Sequence, residues 1–213
     1  MCIKRIGLVL LLMLSGLSGF GQRNYDQFFM EAMVQRQKVN NDAAFDLLRH
    51  CVEINPEASE PYYFLAQYYN VLKQHDQSVT CIKKAATLDP DNVTYMETLA
   101  QIYIRQQDFL SAIPVVEKIY ERDKEREDLL ETLFQLYQQV DDYESAVGVL
   151  EKLEAIDGKN ERLSLAKSEI FTRQGNKKAA IAEMKALAQK YPNDPHYLAM
   201  YGETLMMNAQ PKK

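Results

Sequence analysis

The chain has 213 residues, 26% charged and 46% hydrophobic, the balance of a folded soluble domain. Its 30 acidic and 25 basic side chains give a formal net charge of −5. That sign argues against nucleic acid or an anionic membrane surface as the main partner. The three cysteines form no Cys-x-x-Cys redox motif.

The first 21 residues stand apart. Met1 to Arg5 is a short basic segment, Ile6 to Leu14 an apolar run, and Ser15 to Gly21 is rich in small residues. Basic, apolar, small is the order of a secretory signal, with Gly19 and Gly21 three and one before a cut that leaves Gln22 first. The alternative is an uncleaved anchor, but the apolar run is short of the roughly 20 residues a span needs. The only early cysteine is Cys2, so lipidation is not supported. Cleavage removes Lys4 and Arg5 and no acid, leaving 23 basic and 30 acidic side chains and a formal charge of −7. Secretion predicts an oxidising compartment, a bacterial periplasm. Cys51 and Cys81 then remain, in different helical positions, and are read as two buried thiols rather than a disulfide.

From residue 25 the chain repeats itself every 34 residues. Within Ser59 to Asn92, Tyr62, Leu65 and Tyr69 fall on one helical face, and Ser78, Ile82 and Ala85 on another, before Pro90 ends the second helix. The small residue opening the second helix recurs as Ala44, Ser78, Ala112, Ala146 and Ala180. Four positions on are Leu48, Ile82, Val116, Leu150 and Met184, and three further on Cys51, Ala85, Ile119, Leu153 and Leu187. In the first helix a bulky slot reads Phe28, Tyr62, Met96, Leu130, Ser164 and Leu198, and an aromatic slot Gln35, Tyr69, Tyr103, Tyr137, Phe171 and Leu205.

A helix-turn-helix repeat with this period and these columns resembles the tetratricopeptide repeat (TPR) family. The resemblance implies an all-α, right-handed α-solenoid of about five repeats. They fall at 25–58, 59–92, 93–126, 127–160 and 161–194, with a C-terminal capping helix at 195–208, all within one TPR domain, 22–213. Repeat one has Glu31 and Gln35 where the family prefers bulk, as suits a terminal unit facing solvent. In repeat three Asp108 reads as an N-cap and Pro114 lies inside the second helix, where a kink is expected. Asp142 is the matching cap of repeat four, whose Phe134 stands where the family has a small residue. Repeat five carries Ser164, Lys167 and Ser168 in core columns. The last helix places Leu198, Tyr201, Gly202 and Leu205 in register and adds Met200, Met206 and Met207.

No motif announces chemistry. His50, His75 and His196 have no His or Cys at ligand spacing and read as surface residues. There is no phosphate-binding glycine loop, Gly-x-Ser-x-Gly elbow or His-Glu-x-x-His. No catalytic residue, metal or cofactor is predicted. In the resembled family the first helices line a concave groove that binds peptide segments or partner helices. The groove places transfer to Phe29, Met33 and Arg36; Tyr63, Gln67 and Asn70; Glu97, Gln101 and Ile104; Glu131, Gln135 and Gln138; Leu165, Glu169 and Thr172; Ala199 and Glu203. The Lys and Asn set with which the family clamps a terminal carboxylate is not matched, so binding of a chaperone tail is not implied.

Phe29, Met33 and Tyr63 are expected to form an apolar mouth. The Gln and Asn amides suit an extended peptide backbone, and Glu97, Glu131 and Glu169 favour a neutral to basic protein partner. The functional expectation is a non-enzymatic scaffold in the bacterial envelope, with no membrane insertion after cleavage. The alternatives are a self-assembly module, associating through Met200, Met206 and Met207, or a piece of a longer repeat protein.

Overall fold

The computed structural model describes residues 24–209, all helices and turns. The predicted signal, 1–21, lies outside them. Helix α1 spans 24–37. It is followed by α2 (Asn41–Ile54), α3 (Ser59–Val71), α4 (His75–Leu88), α5 (Val93–Arg105), α6 (Phe109–Arg122), α7 (Glu127–Gln139), α8 (Tyr143–Asp157), α9 (Glu161–Arg173), α10 (Lys177–Lys190) and α11 (Pro195–Ala209). They fall into two compact units, one ending at Gln107 and the other beginning at Asp108. The first comprises α1–α5 and the second α6–α11.

Each hairpin turn is made the same way. The residue just past the first helix takes a left-handed conformation: Val39 (φ 59°), Lys73 (58°), Gln107 (59°), Asp141 (56°) and Gly175 (73°). Backbone bonds then reach back five residues, from Asn40 N–H to Gln35 O (2.9 Å), Gln74 N–H to Tyr69 O (2.8 Å), Asp142 N–H to Tyr137 O (2.9 Å) and Asn176 N–H to Phe171 O (2.7 Å). This closes the orphan carbonyls of the first helix. Only Gly175 adopts the conformation without steric cost. Asp108, Asp142 and Asn176 cap the second helices through side-chain oxygens that accept from Ser111, Ser145 and Ala179 N–H. Helix α6 runs unbroken through Pro114.

The second-helix columns are the core. Ala44, Ser78, Ala112, Ala146 and Ala180 are all fully buried, as are Leu48, Ile82 and Leu187. A small side chain lets the paired helix approach, and the large residue four positions on fills the remaining space. Ser78 keeps its place because its hydroxyl donates to Ala66 O at 2.8 Å. Cys51 is buried and Cys81 half-buried, both as free thiols, and burial pushes each up to about 11.

The first-helix columns are less uniform. Met96 and Leu130 are buried, whereas Phe28 and Tyr62 are half-buried. Leu198 and Leu205, placed in core columns by their register, are 52% and 38% exposed. The reason is that no second helix covers α11 among the described residues.

Lys167, in a core column, is buried within an alternating ion network. Its ammonium donates to Glu154, and Lys159 Nζ lies 3.0 Å from Glu154 and 2.5 Å from Glu183. The network joins α8, α9 and α10 with the α8–α9 loop. Burial alone would push Glu154 up, but bonds from Lys167 and Lys159 outweigh it and hold its carboxyl below the usual range. Burial pulls Lys159 down, and bonds to Glu183 and Glu154 overcome this to raise it.

Two outcomes follow. Val39 is β-branched, left-handed and 75% exposed, so Val39→Gly relieves strain without losing packing. It should stabilise by about 1 kcal/mol, read as a higher Tm, and an unchanged or lower Tm would contradict the strain. Glu154→Gln leaves Lys167 buried beside an uncharged group and should cost about 3 kcal/mol in urea unfolding at pH 7. Because the folded Glu154 carboxyl is depressed, its contribution is complete above the unfolded value near about 4.3 and fades as pH falls through the folded one. The gap between wild type and Glu154→Gln should therefore narrow in acid; a gap independent of pH would remove Glu154 ionisation from the account.

Candidate functional site

Unit one carries two adjoining clefts on its first helices. One, of about 630 Å³, is bounded by Met33, Arg36 and Gln37 of α1, Asn41 of α2, and Gln67, Tyr68 and Val71 of α3. The other, of about 290 Å³, lies between Tyr63, Gln67, Asn70 and Val71 of α3 and Thr98, Gln101, Ile102 and Arg105 of α5. Gln67 and Val71 belong to both. Of the groove residues expected in this unit, Met33, Tyr63, Gln67, Asn70 and Gln101 are thus brought together. Glu97 is half-buried on α5, outside both clefts.

The aromatic mouth is more buried than expected. Phe29 and Met33 pack against the cluster of Ala32, Leu48 and Leu65. Ring contacts run from Tyr25 to Phe29 (5.8 Å), Phe29 to Phe64 (6.1 Å), Phe64 to Tyr63 (5.1 Å) and Tyr63 to Tyr95 (5.1 Å), tying α1, α3 and α5 together. Phe29 is half-buried and lines neither cleft. The Arg36 guanidinium lies over the Phe64 ring, 3.9 Å from its centroid, and donates to Gln67 Oε1 at 3.2 Å. Arg36 and Gln67 are 31 residues apart, one helical turn short of the 34-residue period, so a side chain meets the next first helix one turn back. Phe64, Tyr95 and Arg105 escaped the column transfer because they flank the transferred places. The 31-residue offset is the signal that links Arg36 to Gln67.

In unit two, Glu131 and Gln135 lie on α7 and Glu169 on α9. The two carboxylates are already engaged: Arg162 Nη1 donates to Glu131 at 2.6 Å, again at an offset of 31, and Arg173 Nη2 donates to Glu169 at 2.6 Å. Two of the three glutamates expected to favour a neutral to basic partner thus already stand beside an arginine. A cleft of about 420 Å³ in this unit involves Glu117, Tyr120, Tyr137 and Lys152 and none of the expected groove residues. Tyr137 Oη donates to Glu117 at 2.6 Å across it.

His50, His75 and His196 are exposed, and no group of three or more His, Cys, Asp or Glu among the described residues could hold a metal ion. No described helix is long and apolar enough to cross a membrane.

Two family models for the tetratricopeptide repeat match, over residues 59–92 and 138–204. No curated protein sequence matches the chain. Among solved structures, a tetratricopeptide repeat protein from Parabacteroides merdae superposes with a TM-score of 0.57 at 16% identity, over 87% of this chain and 73% of that one. YrrB, described as a TPR protein with an unusual peptide-binding site, gives 0.56 at 12% identity over 81% and 89%. MamA gives 0.56 at 16% identity over 81% and 94%. At such identities these likenesses speak for the all-α TPR solenoid fold alone. The two family models and the helical hairpins recurring every 34 residues place the chain in the tetratricopeptide repeat family.

Proposed function

We propose that this protein is a non-enzymatic scaffold that holds a segment of another protein against its first helices. The observation that carries this reading is the pair of clefts sharing Gln67, where side-chain amides line both walls and apolar side chains sit beside them. Amides donate and accept, so they suit an extended backbone of any sequence. The peptide-binding site ascribed to YrrB, a protein of the same fold, supports a peptide as the occupant.

The envelope is part of the proposal and rests on the basic, apolar and small-residue order of residues 1–21. Protein purified from its native cells should then begin at Gln22 by intact mass; a chain still beginning at Met1 would count against it.

A second reading, self-association, is favoured by one observation. Leu198, Leu205, Met206 and Met207 of α11 are 52%, 38%, 65% and 71% exposed, a large apolar face for one helix. Sedimentation analysis separates the two: a concentration-dependent oligomer abolished by Met206→Gln with Met207→Gln supports self-association, and a monomer at all concentrations removes it.

For the scaffold, the triple variant Tyr63→Ala, Gln67→Ala, Gln101→Ala leaves Phe29 and the core untouched. It should retain wild-type helicity by circular dichroism and capture its partner from a native envelope extract at least about tenfold less well. Undiminished capture by a folded variant would move the binding surface elsewhere.

A further inference from the structure

We infer that the first-helix face of unit one takes an acidic peptide, with an Asp or Glu side chain next to a large apolar one and its carboxylate received by Arg36. This rests on the scaffold reading and names its ligand class.

The argument begins with charge. The chain is acidic, with a formal charge of −5, yet neither cleft has an Asp or Glu among its described lining residues. Each has one arginine, Arg36 in the larger and Arg105 in the smaller. Among the described residues, neither has a carboxylate at ion-pair distance, whereas Arg162 and Arg173 of unit two each have one. The cationic character of these clefts is thus uncompensated from within.

Geometry makes Arg36 the anchor. Stacking on Phe64 fixes the plane of the guanidinium, and Gln67 takes one of its five N–H donors. Among the described residues, Nη1 has only the thioether sulfur of Met33, at 3.9 Å, as a weak acceptor. A half-buried, pre-oriented guanidinium with donors to spare is built for a carboxylate, because little side-chain freedom is lost on binding. Beside it Met33, Tyr68 and the 79% exposed Val71 offer apolar contact for the neighbouring side chain. Gln67 continues into the second cleft, where Asn70 and Gln101 face the onward backbone and Arg105 offers a second positive charge.

The glutamates behind the expectation of a neutral or basic ligand, Glu97, Glu131 and Glu169, do not line these two clefts. The last two are paired with arginines, and Glu97 lies outside both clefts.

The test uses the purified protein and a display library of random dodecapeptides fused at their C-termini, so that only side-chain carboxylates are read. Selected peptides should be enriched in Asp or Glu adjacent to Leu, Ile, Phe or Met. A synthetic peptide of that consensus should bind about tenfold more weakly to Arg36→Gln and lose affinity as salt rises. Arg105→Gln, at an exposed position, should weaken it by a smaller factor and serves should Arg36→Gln fail to fold. Selection of neutral or basic peptides that still require Tyr63, Gln67 and Gln101 overturns the acidic assignment and leaves the scaffold intact. Selection of no peptide at all overturns both.

Discussion

The small residue at the start of each second helix is the constraint on which everything else depends. Ala44, Ser78, Ala112, Ala146 and Ala180 have no exposed surface, and within the units the first helix of the hairpin lies against the second, as α3 does against α4, α7 against α8 and α9 against α10. Any larger side chain would push the pair apart and expose the residues that follow at four and seven positions. The left-handed turn residue at Val39, Lys73, Asp141 and Gly175 serves the pairing within each unit by reversing the chain in three residues, and Gln107 takes the same conformation. Val39, Lys73 and Asp141 are not glycine, so close helix pairing within the units outweighs a local strain of roughly 1–2 kcal/mol at each turn.

A second consequence concerns the binding face. With the second helices filling the core, first helices within a unit become neighbours and present their outer side chains together. The recurrent meeting distance is 31 residues, as in Arg36 with Gln67 and Arg162 with Glu131. The same offset sets Asn70 beside Gln101 in one cleft, so the surface is a product of the repeat's helical phase. The two units use it differently. Among the described residues, Arg36 and Arg105 of unit one have no carboxylate at ion-pair distance, whereas Arg162 and Arg173 of unit two lie against Glu131 and Glu169.

The period, the fold class and the buried second-helix columns were legible in the sequence because identical packing demands recur and small residues mark them. The clefts were legible by register alone, through Met33, Tyr63, Gln67, Asn70 and Gln101. What escaped depended on contacts between residues with no column in common. Arg36 rests on Phe64, 28 positions away, and Lys167 is sheltered by Glu154, 13 away. Charge in a sequence carries no partner label, and only the fold sets Arg162 beside Glu131 and Arg173 beside Glu169. Phe29 has the groove register too but lines neither cleft, since its ring packs against the cluster of Ala32, Leu48 and Leu65. Leu198 and Leu205 show that register alone does not bury a residue when its covering helix is absent among the described residues.

The central claim is that partners meet the first helices and not the second. Site-specific photocrosslinking in native cells tests it directly, with a benzophenone side chain at Gln67 or Gln101 on first helices and at Arg49 or Lys83 on second helices of the same unit. The account predicts that Gln67 and Gln101 give one shared crosslinked species of higher mass and that Arg49 and Lys83 do not give it. Crosslinks confined to Arg49 and Lys83, with none from the clefts, would contradict it.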